Sequence, residues 1–151
     1  MFRVTISQLE LGTVQMNGAR RLIGRCACEA VRFTVPDEFE YALNCYCSLC
    51  RRATGSAFKA FGGIRTNALE EVSDKALLMF VGNETDHDVR CAACGSFLYS
   101  IVRDGEYVHV NYGVLAEEPS LKPSAHIFVG SKAPWYDILD DLPQFEEHPP
   151  L

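Results

Sequence analysis

The chain has 151 residues, 48% of them hydrophobic, and a formal net charge of -6. That size suits one domain with its own core, residues 1–151; the acidic balance argues against a nucleic-acid partner; and no stretch approaches the roughly 20 apolar residues of a membrane span. The start, Met1-Phe2-Arg3-Val4-Thr5, lacks the continuous apolar run of a secretory signal, so a soluble cytoplasmic protein is expected.

From the N terminus, Phe2 to Ile6 is short and rich in β-branched and aromatic residues, as a strand is. Val31, Phe33 and Val35 alternate with Arg32 and Thr34, which puts the apolar groups on one face of a second strand. Ser48 to Thr54 is expected to form a turn or two of helix, stopped by Gly55. Ala76 to Val81 and Phe97 to Val102 have strand composition, and Val108, Val110 and Tyr112 alternate with His109 and Asn111. Asp104-Gly105 suits a tight turn with positive φ that joins Phe97–Val102 to Tyr107–Tyr112 as a hairpin. Ala125 to Val129 predicts a further strand, and a short helix is expected between Pro134 and Pro143. The fold class is therefore mostly β, with short helical turns.

Seven cysteines fall into three clusters: Cys26/Cys28, Cys45/Cys47/Cys50 and Cys91/Cys94. Seven is odd, so disulfides cannot pair them all, and gaps of one and two residues are those of ligands wrapped onto a cation. Cys26 and Cys28, two apart in an extended strand, would face one ion. Cys91-Ala92-Ala93-Cys94-Gly95 has the spacing of a zinc knuckle with a glycine relieving the turn. Together they make a closed shell of four thiolates, a structural zinc.

Cys45, Cys47 and Cys50 supply three ligands to a second zinc if the chain bends at Ser48, which leaves one position open. Three thiolates bring a dication to -1, so a bound water would be weakly acidified, and a fourth sulfur is the better-matched ligand. The expected substrate carries a thiol. Two alternatives stay open: a closed second site completed by His87, His109 or His126, and an oxidised Cys47–Cys50 pair.

Three stretches, Gly24-Arg25-Cys26-Ala27-Cys28, Cys45-Tyr46-Cys47-Ser48-Leu49-Cys50-Arg51-Arg52-Ala53-Thr54-Gly55-Ser56 and Arg90-Cys91-Ala92-Ala93-Cys94-Gly95-Ser96, look like one known family. With His126-Ile127-Phe128-Val129 and Ser131-Lys132-Ala133-Pro134-Trp135 at the end, they resemble the glutathione-dependent formaldehyde-activating enzyme family, which includes centromere protein V. The resemblance spans about residues 22–146 and leaves an N-terminal arm, 1–21. It implies a β-tent fold, shared with a small zinc-binding guanine-nucleotide-exchange protein, and two zinc ions. It also implies a structural site at Cys26, Cys28, Cys91 and Cys94 and a catalytic one at Cys45, Cys47 and Cys50.

The activity the resemblance implies is that of a carbon–sulfur lyase, with glutathione adding to formaldehyde to give S-(hydroxymethyl)glutathione. Its partners are a small thiol and a small aldehyde. Two positions depart from the family pattern: Glu29 stands where glycine is usual, and Tyr46 where histidine is frequent.

Arg51 is a candidate contact for a glutathione carboxylate, and Arg52 is weighed beside it. Ser56 and Gly62-Gly63 read as turn residues, His126 and Trp135 as core, and His87 as part of a solvated turn. A zinc-stabilised protein-binding module without chemistry is the alternative function; it predicts a capped zinc and an exposed apolar patch.

Overall fold

Two antiparallel blocks of alternating residues generate the architecture of the computed structural model, which describes residues 18–150. The strand expected at Phe2–Ile6 lies outside them. In chain order the elements are β1 (Arg21–Arg25), β2 (Arg32–Pro36), β3 (Tyr41–Cys45), α1 (Ser48–Thr54), β4 (Lys59–Arg65) and β5 (Glu70–Glu71). They continue with β6 (Leu78–Gly82), β7 (His87–Cys91), β8 (Phe97–Val102), β9 (Tyr107–Asn111) and β10 (His126–Ile127). The fold is mostly β, as the alternation predicts.

One sheet has the order β1-β2-β5 and the other β10-β3-β4-β9-β8-β7-β6; every neighbouring pair is antiparallel except β10 on β3. Leu22, Val31, Phe33 and Val35 on the smaller sheet's side meet Val89, Leu98, Val108 and Val110 of the larger one, all of them essentially inaccessible. This apolar layer holds the sheets together. The β8–β9 hairpin turns through Arg103, Asp104 and Gly105, all at positive φ, as expected.

Several local expectations need correction. The segment from Pro134 to Pro143 is not a helix: it makes one turn, with the Tyr136 amide on the Ala133 carbonyl, and then runs extended. Trp135 and Leu139 are 71% and 91% exposed, so there is no buried face to sustain a helix, and Trp135 is not core. The segment's end instead ties to β10 through His126 N–H on Pro143 O and Phe145 N–H on His126 O. β10 itself stops at Ile127 because Phe128 is left-handed, at φ 56. A 3-10 turn over Lys75–Leu77 takes the start of the Ala76–Val81 stretch, and β6 begins at Leu78.

Gly62 and Gly63 are not turn residues. They sit inside β4, where an added Cβ would come within 2.6 Å of the Phe39 ring and 2.2 Å of the Tyr41 ring. Aromatic faces lie directly on their backbone. His87 opens β7 and is half-buried, with Nδ1 2.9 Å from the Asn83 carbonyl, so it is no solvated turn residue.

Candidate functional site

The four-cysteine group joins the two sheets. Cys26 follows β1 and Cys91 ends β7, strands of different sheets, yet the sulfurs of Cys26, Cys28, Cys91 and Cys94 all lie within 4.8 Å of one another. Cys26 and Cys28 are not in the strand that sequence alternation suggested. A turn closed by the Glu29 amide on the Cys26 carbonyl brings their sulfurs to 3.5 Å, and the Cys28 and Cys91 sulfurs are 3.8 Å apart. Ligands at ~2.3 Å from a tetrahedral zinc stand about 3.8 Å apart.

On the other side Gly95, at φ 78, donates its amide to the Cys91 carbonyl and completes the knuckle. Glu29 holds a left-handed conformation at φ 63, so the departure from glycine keeps the turn's shape. Its carboxylate goes to Arg25 at 2.8 Å.

Thiols this close compete for charge. The Ser96 hydroxyl and amide hold the Cys94 thiol at about 5. Cys28 has a backbone hydrogen bond with Ala30 in its favour, yet the neighbouring sulfurs, Cys26 foremost, push it up to about 11. A dication among the four would relieve that competition and let all ionise. None of the seven cysteines is in a disulfide.

The second group sits where β3 hands over to α1. Cys45 is the last residue of β3, Cys47 caps the helix with its sulfur accepting the Cys50 amide at 3.2 Å, and Cys50 lies in the first turn. Their sulfurs also lie within 4.8 Å of one another, and among the described residues no fourth His, Cys, Asp or Glu joins them. The helix ends as expected at Gly55, left-handed at φ 64, whose amide bonds the Arg51 carbonyl. The adjacent Cys45 sulfur and burial push the Cys50 thiol far up. Three sulfurs so placed suit a soft cation, which they would hold with a position to spare.

The histidines weighed as a fourth ligand are occupied elsewhere. His126 is buried, its Nδ1 3.0 Å from the Tyr46 hydroxyl and its Nε2 2.9 Å from Asp140. With a carboxylate at Nε2, that nitrogen carries the proton and Nδ1 accepts from Tyr46. His109 is 2.9 Å from the Tyr41 hydroxyl and stacks on Phe61. Tyr46 is fully buried against Phe58 and Tyr136, so its hydroxyl is spent on His126. Arg51 donates Nε to the Tyr46 carbonyl at 3.3 Å, a bond within its own turn of chain, and Arg52 is exposed.

Sequence inspection missed Lys59. It is the Cα partner of Cys45 across β3–β4, only 5% exposed, and its Nζ donates to Ser100 Oγ at 2.8 Å. Ser100 in turn donates to Asp88 at 2.7 Å, and the ammonium lies 4.7 Å from the Phe97 ring centre. Burial lowers the affinity of Lys59 for its proton, and the nearby Cys50 sulfur and Asp88 oppose that effect. No sequence signal marked it: β4 does not alternate, and that Lys59 is buried on the same face as Phe61 shows only in the folded strand. Cys50, Lys59, Asp88, Phe97 and Ser100 line a cleft of about 550 Å³.

Arg90 was also missed. It donates to the Ala53 carbonyl of α1 at 2.6 Å and to the Gly95 carbonyl at 3.3 Å, and so links the surroundings of the two sulfur groups.

Comparison with known proteins comes to the same place. A family model described as glutathione-dependent formaldehyde-activating enzyme matches residues 21–131. Among solved structures, the chain is similar to a Rhodobacter sphaeroides protein known from a structural-genomics crystal structure. The two are 27% identical with a TM-score of 0.53, over 65% of this chain and 91% of that one. No curated protein matches the chain.

Proposed function

The chain belongs to the glutathione-dependent formaldehyde-activating enzyme family, and we propose that it is a cytoplasmic zinc-dependent carbon–sulfur lyase that forms or cleaves the adduct of a glutathione-type thiol with a small aldehyde. We take its described residues as one domain of the β-tent type. One zinc at Cys26, Cys28, Cys91 and Cys94 would staple the sheets, and one at Cys45, Cys47 and Cys50 would serve the chemistry. The observation that carries this assignment is the three-sulfur group with no fourth donor among the described residues, bordering a cleft through Cys50.

Zinc bound there would supply a sulfur-seeking Lewis acid that keeps a substrate thiol ionised. The protein's own part is positioning and charge. Lys59 offsets the excess negative charge of three thiolates, the helix start fixes Cys47 and Cys50 together, and Arg51 is our candidate to meet a substrate carboxylate.

Metal analysis with thiol challenge tests this. The native chain is expected to hold two zinc ions, one of them perturbed by glutathione and absent from Cys47→Ser, and to accelerate hemithioacetal exchange by NMR. Glutathione that neither binds nor alters the metal, with no exchange above the uncatalysed rate, refutes it.

A binding module without chemistry is the second function, favoured by one observation: Met79, Phe80 and Val81 on the outer strand β6 are 42%, 57% and 52% exposed. It predicts partner capture that survives Cys47→Ser.

A further inference from the structure

A buried ammonium is best satisfied by oxygen acceptors for its N–H groups, and Lys59 has more donors than the acceptors given to it among the described residues. It is 5% exposed, carries three N–H groups, and among the described residues makes one hydrogen bond, to Ser100. The Phe97 ring lies 4.7 Å and the Phe61 ring 5.6 Å from the charge, which they stabilise without offering an oxygen acceptor. The Asp88 carboxylate orients the Ser100 hydroxyl so that its lone pair faces Nζ, which fixes the ammonium in place. Lys59 lines the same cleft as Cys50. A counter-ion for sulfur could sit at the surface and keep its hydration. This one is desolvated and lines a cavity together with Cys50, one of the proposed zinc ligands, where an oxygen-bearing ligand would complete its hydrogen bonding.

We propose that Lys59 is a catalytic residue, the hydrogen-bond donor to the aldehyde oxygen. The proposal rests on the function given above. The thiolate sulfur forms a bond to the carbonyl carbon, the carbonyl π pair moves onto oxygen, and Lys59, remaining an ammonium, donates to that oxygen as its charge grows. The oxygen then takes a proton from cleft water, and the hydroxide left behind neutralises the proton that the thiol released on ionising. Cleavage of the adduct runs the same steps backwards. The Lys59 charge therefore favours substrates whose oxygen becomes anionic one bond from the sulfur-bearing carbon.

The test compares the native protein with Lys59→Met and Lys59→Arg, first for zinc content and melting temperature, so that rates are compared per zinc-loaded, folded chain. Lys59→Met is expected to slow NMR-detected exchange of glutathione with formaldehyde about 100- to 1000-fold in kcat, with KM for glutathione changed only a few-fold, and Lys59→Arg to recover part of the rate. Binding gives a readout that does not need turnover. The native protein is expected to prefer glutathione sulfonate to S-methylglutathione in calorimetry, and Lys59→Met to lose about 10- to 100-fold of that preference. Should Lys59→Met unfold, Ser100→Ala, which leaves the ammonium present but unanchored, is expected to lower both quantities more mildly.

Native turnover that Lys59→Met leaves unchanged overturns the role of Lys59 and spares the function. Equal native affinity for the two derivatives overturns it as well. A native protein that neither binds them nor accelerates exchange defeats the function itself, and this proposal with it.

Discussion

Removing the Arg90 guanidinium should loosen one of the two proposed metals more than the other. Arg90 reaches from β7 to the last turn of α1, bonding the Ala53 carbonyl at 2.6 Å, and lies 4.5 Å over Phe97. The helix has seven residues and buries none of them fully; its first turn packs Cys47 and Cys50 against Cys45, Phe61 and Ile127, and the Arg90 bond holds its last turn to β7. Arg90→Met keeps the aliphatic stem and deletes the fork. The charged bond to Ala53 is worth about 1.5–3 kcal/mol and the ring contact about 0.5–1 kcal/mol. Allowing for overlap between them, a loss of about 2–3 kcal/mol falls on helix order, equivalent to about 30- to 150-fold in affinity for zinc at Cys45, Cys47 and Cys50. Arg90 also donates to the Gly95 carbonyl of the knuckle, at a longer 3.3 Å, but the four sulfurs there are held from both sheets, so the ion proposed among them should loosen much less. Graded chelator competition, with released zinc counted per chain, separates the two ions. Parallel release of both from the variant, or release at native chelator strength, would refute the idea that Arg90 organises the helix.

Two further outcomes concern stability. Burial alone would raise the Asp37 carboxyl, but the Ser120 hydroxyl and amide and the Arg20 guanidinium hydrogen-bond it and hold it below the usual carboxylate range. A depressed folded value means that its contribution is present above the unfolded carboxylate pKa, about 3.9, and is lost as pH falls through the folded value. Asp37→Asn should cost about 1.5–3 kcal/mol near neutrality, with the gap between variant and native urea midpoints closing as pH falls below about 4. Glu29, left-handed at φ 63, pays about 1–2 kcal/mol for that conformation, offset partly by an exposed pair with Arg25 worth at most ~0.5 kcal/mol. Glu29→Gly should therefore melt above Glu29→Ala by about 1 kcal/mol, after the entropy glycine adds to the unfolded chain; the reverse order would show that the left-handed geometry carries no strain.

What was legible in the sequence followed local chemistry. Cysteine spacing named both sulfur groups, Gly55 marked the end of α1, and Arg103-Asp104-Gly105 turns where Asp104-Gly105 suggested. What was not legible depends on partners far along the chain. β3 and β4 hide their alternation because Asn44 and Lys59 are buried polar groups and Gly62 and Gly63 have no side chain to alternate. The Pro134–Pro143 segment has the punctuation of a helix but none of its packing, since Trp135 and Leu139 face outward. The placement of Cys26 in a turn instead of a strand follows from the need to meet Cys91 on the other sheet, which no local pattern encodes. Lys59 follows the same rule. Its position is meaningful only once β4 is seen to lie beside Cys45.

The sheet-to-sheet sulfur staple also imposes an order on biosynthesis. Cys28 and Cys91 are separated by 63 positions, so at about 5–20 residues per second the first pair of thiols leaves the ribosome roughly 3–13 s before its partners exist. During that interval a nascent chain can present only half a cage. With the proposed ion as the closing piece of that cage, metal supply and thiol buffering at the moment of translation would govern the yield of correctly assembled protein more than they govern its later lifetime.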